Sequence, residues 1–153
     1  MSALPRQDAF FQPMVDASLN EIVAIETDVY EFPWTFGNFR DSLRAGYSCW
    51  ECRSGGALVA YAVMMFGVEE AHLLNLSVAR AAQGRGVGSQ MLDHVLELAR
   101  HHRAQQMILE VRPSNHVGRA LYARYGFQRI GLRRGYYPAR SGREDAVVLR
   151  LAL

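Results

Sequence analysis

The chain has 153 residues, half of them hydrophobic and 21% charged, with two Cys. That length suits one domain over residues 1–153, able to bury roughly two thirds of its unfolded surface without disulfides or a structural metal. The net charge of +2 hides a lopsided chain: residues 1–79 hold four Arg against ten Asp and Glu, residues 80–153 thirteen Arg against five, and Lys is absent.

A basic second half suits a polyanionic ligand, and an acidic first half, including Glu26, Asp28, Glu31 and Asp41, suits a cationic partner; an Arg-biased genome gives the same imbalance without function. The longest apolar run, Ala57 to Val68, is broken by Tyr61 and Gly67 and is far shorter than the ~20 residues of a membrane span. Arg6 and Asp8 come early and no apolar segment precedes Glu21, so no secretory pattern is read and a soluble, cytoplasmic protein is expected.

In chain order, Ala9 to Pro13 reads as a strand. Asp16-Ala17-Ser18 opens a helix with Leu19, Ile22, Val23 and Ile25 at helical spacing, and Phe32-Pro33-Trp34 breaks it. Thr35 caps a second helix carrying Phe36, Phe39 and Leu43, ending near Gly46. Tyr47 to Arg53 and Ala57 to Phe66 form a hairpin through Ser54-Gly55-Gly56, and His72 to Val78 follows as a third strand. Cys49 and Cys52 form a C-x-x-C, a pattern shared by redox pairs and half zinc sites. Here it lies in a strand, where residues three apart face opposite ways, so ordinary packing is expected.

From Val87 the apolar period becomes helical through Met91, Leu92, Val95, Leu98 and Ala99. Gln106 to Val111 is a short strand, Pro113-Ser114-Asn115 caps a helix running to Tyr125, and Gly126 ends it. Phe127 to Leu132 and Ala146 to Leu153 are the last strands, separated by a loop over 133–145. The expected domain is α/β or α+β, about seven strands with four helices.

The sharpest local signal is Gln83-Gly84-Arg85-Gly86-Val87-Gly88, between the strand ending at Ser77-Val78 and an apolar helix. Glycines let backbone N–H groups approach an anion, and the helix start attracts phosphate, so this reads as a pyrophosphate cradle; a tight strand-to-helix connection is the plainer alternative. No Walker Lys follows, and the loop comes after about the fourth strand rather than the first, which argues against P-loop and Rossmann folds. Glu110 interrupts the apolar run Met107-Ile108-Leu109 and Val111, where a carboxylate needs a reason. Tyr122 has helical spacing to Gly118 and Tyr125 and reads, on spacing alone, as core.

Gln83 to Gly88, Leu109-Glu110-Val111, Asn115, Leu121-Tyr122 and Gly126-Phe127 together resemble the GNAT acetyltransferase superfamily. Phe32-Pro33-Trp34, Asn75 to Val78, Glu110-Val111-Arg112, Arg133 to Pro138 and Gly142 to Ala146 are similar to the branch that acetylates the N-terminal alanine of ribosomal protein S18. The resemblance implies a GNAT fold with a mixed, mostly antiparallel sheet, acetyl-CoA as cosubstrate, and a protein N-terminus as acceptor. It implies no metal, nucleic-acid or membrane partner. It assigns Glu110 as general base and Tyr122 as general acid. Leu76, Ser77 and Val78, Gln83 to Gly88, Ser89 and Asn115 are assigned to the cofactor, the backbone of 76–78 running along its pantetheine arm. Phe32, Trp34, Tyr136 and Tyr137 would line the acceptor groove. A lysine side chain or small amine as acceptor, and a silent acyl-CoA-binding module, are the alternatives; keeping both Glu110 and Tyr122 argues against the last. Two positions depart from the branch's pattern. Gly118-Arg119 stands where Ala-Ile is common, with Gly costing up to ~1 kcal/mol in a helix, and Gly135 replaces Asn before Tyr-Tyr-Pro, which is expected to loosen the acceptor-side loop.

Overall fold

The computed structural model describes residues 9–153. Its strands are β1 (Ala9–Pro13), β2 (Ser48–Ser54), β3 (Ala57–Phe66), β4 (Glu70–Val78), β5 (Gln106–Val111), β6 (Gln128–Pro138) and β7 (Arg143–Ala152). The helices are α1 (Leu19–Val29), α2 (Phe36–Arg44), α3 (Val87–His101) and α4 (His116–Arg124). The strands form one sheet in the order β1-β2-β3-β4-β5-β7-β6, antiparallel throughout except for β4 beside β5. This is the mixed, mostly antiparallel sheet expected from the sequence.

Two apolar clusters hold the layers together. Leu19 and Ile22 of α1 and Phe39 of α2 pack with Leu58, Tyr61 and Val63 on one face of β3. Val87, Met91, Leu92 and Val95 of α3 pack on the other face, with Ala60, Ala62 and Met64 of β3 and Met107 and Leu109 of β5. Apolar residues on both faces make β3 read as an unbroken hydrophobic run. Cys49 and Cys52 fall into different clusters, both unpaired and buried, and burial pushes the Cys49 thiol up to about 11. Thr35 caps α2 as its sequence announces: its Oγ1 accepts from Asn38 N–H at 3.1 Å, while Asn38 Oδ1 accepts from Thr35 N–H at 2.9 Å.

One departure from regular pairing creates the site. Met64 pairs with Leu73 and Val63 with Asn75, so Leu74 is an extra residue on β4. Such a bulge bends and twists its strand. Pairing between β4 and β5 runs only from Glu70–Gln106 to Leu73–Leu109; beyond that point the two strands part.

Residues 133–145 are not a loop. β6 continues to Pro138 and β7 begins at Arg143, with Tyr137 opposite Glu144 and Pro138 opposite Arg143. The segment reads as a loop because β6 is an exposed edge strand, where Arg and Pro serve instead of apolar alternation. Its register also shifts between Arg133 and Tyr137. Gly135 lies in that bulge at φ +59°, its N–H donating to Asp145 Oδ1 at 2.8 Å and its carbonyl accepting from Arg143 Nε at 2.5 Å. The glycine therefore does not loosen the segment: it supplies the left-handed backbone the bulge needs, and two side chains fasten it. Among the described residues no helix is long and apolar enough to cross a membrane.

Candidate active site

Where β4 and β5 separate, a cleft of about 740 Å³ opens. Leu76 lines it from β4, Glu110 from β5, Asn115 and Tyr122 from α4 and the turn before it, Phe32 and Trp34 from the segment after α1, and Tyr136 and Tyr137 from β6. The remaining residues assigned to the cofactor lie outside this lining, at the end of β4 and the start of α3.

Each of those has a local reason. Ser77 is buried and turned away, its hydroxyl donating to Asn75 Oδ1 at 2.6 Å. Gln83 donates from Nε2 to the Val78 carbonyl at 3.1 Å, folding the loop back against β4. Gly84 and Gly86 have φ of +76° and +80°, and a Cβ built on either meets open space. Both therefore serve for backbone conformation, and Gly86 turns the chain into α3. The first N–H groups of a helix lack partners within it, so the 15-residue α3 presents donors and the positive end of its dipole beside Gly84, Arg85 and Gly86. Val87 is core, contributing only backbone here. Gly88 packs closely, a Cβ there lying 3.6 Å from both Val78 and Leu121, and Ser89 offers its carbonyl to the Tyr125 hydroxyl at 3.0 Å. A glycine-rich helix start at one end and a parted sheet leading from it fit a long anionic cosubstrate with an extended arm.

Asn115 caps α4, its Oδ1 accepting from Gly118 N–H at 2.9 Å. A Cβ at position 118 would come within 2.7 Å of Asn115 Nδ2 and 3.0 Å of its Cγ. The glycine in this helix is explained by the side chain of Asn115 lying over it.

Glu110 is nearly enclosed, with 7% of its side chain exposed. Its Oε2 lies 2.5 Å from His72 Nε2 and its Oε1 3.5 Å from Arg133 Nη2. Burial raises the carboxyl pKa, but the hydrogen bond and charge of His72 and the charge of Arg133 outweigh it, holding the group below the usual carboxylate range. Tyr122 is buried with its ring edge-on to Phe127, and burial first, then Tyr30 and Tyr137, push its phenol well above the ordinary value.

Glu26, read from the sequence only as part of an acidic half, and Glu144 and His72, given no role there, build the walls. Glu26, 2% exposed, accepts from Tyr61 Oη (2.7 Å), Asn75 Nδ2 (3.2 Å) and Trp34 N–H (2.9 Å). Ser77 donates to Asn75, and the Tyr30 hydroxyl lies 2.7 Å from Ser77 Oγ, so one hydrogen-bonded chain runs from the cleft wall to Glu26. Its signal was its place on the apolar stripe Leu19, Ile22, Glu26, Val29. Glu144 binds Arg112 Nη1 (3.1 Å), Ser114 N–H (2.9 Å) and the Ser114 hydroxyl (3.0 Å), joining β7 to the end of β5 and the entry to α4. Arg112 also lies over Tyr137, 4.3 Å from its ring centre, and over Phe32 at 5.3 Å. His72 is the third and left no sequence signal. Of the acidic residues named in the first half, Glu26 is internal, while Asp28, Glu31 and Asp41 are exposed, Asp28 beside Arg80, Glu31 beside Arg140 and Asp41 3.8 Å from Arg40.

Known proteins share this arrangement. The ribosomal protein bS18-alanine N-acetyltransferase of Escherichia coli (strain K12) is 33% identical over 129 residues, covering 84% of this chain and 87% of that protein. The like-named protein of Haemophilus ducreyi is 30% identical over 143 residues, covering 93% and 99%. The crystal structure of the ribosomal-protein-S18-alanine N-acetyltransferase from Escherichia coli superposes with a TM-score of 0.88 at 30% identity, covering 94% of this chain and 93% of that one. Residues 19–127 match the Acetyltransferase (GNAT) family, and with these relatives along most of its length, the chain belongs to that family.

Proposed function

We propose that this acetyltransferase modifies the N-terminal alanine of ribosomal protein S18 in the cytoplasm, Glu110 acting as general base and Tyr122 as hydrogen-bond donor to the leaving group. The observation that carries the mechanism is the convergence of Glu110, Tyr122 and the aromatic residues on the cleft where β4 and β5 part. The S18 acceptor rests on the names of relatives similar along most of the chain.

Acetyl-CoA, the cosubstrate, brings an acetyl group activated as a thioester. The backbone of Gln83 to Ser89 would hold its pyrophosphate, the edge of Leu76 to Val78 its extended arm, and Asn115 would reach it from α4. An α-amine with a pKa of about 7.7–8.0 arrives largely protonated, and Glu110, ionised at neutral pH, accepts the proton that must leave. Tyr122, kept protonated by burial, donates a hydrogen bond to the departing sulfur without having to ionise. Phe32, Trp34, Tyr136 and Tyr137 enclose the acceptor chain.

The test incubates the enzyme with acetyl-CoA and one of three acceptors: a peptide with the S18 N-terminus, the same peptide with a blocked α-amine and a free lysine, or polyamines. The mass gain should fall on the free α-amine alone; acetylation confined to the lysine or the polyamines would overturn the reading.

Gly118→Ala tests the place given to Asn115. The added methyl improves helix propensity but collides with the Asn115 amide, so the cap and any bond from it to the cosubstrate loosen together. Acetyl-CoA affinity measured by calorimetry should fall about fivefold to tenfold, the worth of roughly one hydrogen bond, with little change in thermal midpoint.

A further inference from the structure

His72 has no part in the chemistry described so far, yet it holds the tightest contact to Glu110, at 2.5 Å. On β4 it pairs with Ile108 of β5, and Glu110 lies two residues further along that same face. One residue after this pair the strands separate, so the imidazole sits at the fork of the cleft. We infer that His72 and Glu110 form a proton-carrying pair, Glu110 receiving the proton from the incoming amine and His72 taking it on to solvent. This rests on the proposed role of Glu110.

A carboxylate enclosed with a histidine and an arginine is readily ionised and correspondingly slow to keep a proton. It also has little water of its own: 7% of its side chain is exposed against 22% for His72. Imidazole is the side chain that ordinarily gains and loses protons between pH 5 and 8 and can bind one at either nitrogen. In the relay an N–H bond of the amine breaks and an O–H bond forms on Glu110. That bond breaks in turn as His72, its resting hydrogen exchanged through water from Nε2 to Nδ1, gains the proton at Nε2; Nδ1 then releases its proton to water, leaving an ionised Glu110 and a neutral His72 with hydrogen at Nε2, as they began. The charged and titratable groups around the pair are Arg133 and Tyr137 of β6; Met65, the β3 neighbour of His72, is neutral. Glu70 and Arg150, further along the sheet, are both hydrogen-bonded to Gln106. His72 is thus a positioning and relay residue acting through Glu110.

His72→Gln separates relay from support, since its amide can still donate to Glu110 but does not titrate. With the S18 peptide, kcat should fall about 10–100-fold, KM values for both substrates should stay within about twofold, and the acid limb of kcat/KM against pH should move by at least about one unit. In His72→Ala, added imidazole should restore turnover in proportion to its concentration. Wild-type kcat and an unmoved pH profile in His72→Gln, at an unchanged thermal midpoint, would overturn the inference. Glu110→Gln run alongside tells the two failures apart: if it too keeps wild-type turnover, the base assignment falls with the relay, whereas if it alone is slow, only the relay falls.

Discussion

Replacing Glu110 by Gln should reduce kcat with the S18 peptide by about 10²–10⁴-fold, the usual contribution of a positioned general base. Acetyl-CoA affinity should stay nearly unchanged, because Glu110 lies on β5, away from the loop proposed to meet the phosphates. The substitution keeps the size of the side chain and one acceptor oxygen for His72, so the lost rate reports proton transfer rather than collapse of the site. Single-turnover kinetics across pH is the decisive measurement, and the low-pH fall in rate expected of the wild type should flatten in the variant. Stability gives an independent sign. The native carboxyl titrates below its unfolded counterpart of about 4.3, so the stability that ionised Glu110 contributes is fully present above that value. It is lost as pH falls through the lower native pKa. The wild-type advantage in thermal midpoint should therefore shrink from pH 7 toward pH 3. Full turnover in Glu110→Gln would remove the carboxylate from the mechanism.

The second large effect belongs to Glu26. Glu26→Ala strands the Tyr61 hydroxyl, the Asn75 amide and the Trp34 N–H together, all donors to one enclosed carboxylate. Each buried donor left without an acceptor costs about 1–3 kcal/mol, so stranding all three should lower the melting temperature of a domain of this size by at least about 6 °C. Glu26→Gln retains an acceptor oxygen and should cost clearly less. Thermal melts of both variants check the ranking, and equal, small shifts would mean that the donors find other partners.

The order of strands and helices was legible because it is written locally, in Thr35 before α2, in the helical apolar period after Val87, and in the short apolar run from Met107. The glycine turn into α3 was legible for the same reason, since Gly84 and Gly86 are needed for backbone angles that only a short stretch of chain determines. β6 was legible as far as Leu132, but its continuation was hidden because an edge strand bearing Arg133, Arg134 and Gly135 lacks the one-sided apolar pattern that identifies a strand. The Leu74 bulge left no trace, since either an apolar or a polar residue can occupy such a position. Glu26 with Tyr61 and Asn75, and His72 with Glu110, join residues 35 to 49 positions apart in the first case and 38 in the second. Only the folded sheet brings them together, so the donors that fasten the cleft were the least readable part of the site.

The parting of β4 from β5 also makes the sheet mechanically two leaves. β1 to β4 form one, β5 to β7 the other, and four residue pairs are the rungs between them. A linear ligand lying in the gap would lend its own amides as the missing rungs, so a cosubstrate held there would act as a splint as well as a donor. Backbone amides of Asn75 to Val78 would then exchange with solvent more slowly once the splint is in place, and the two leaves would melt as one body.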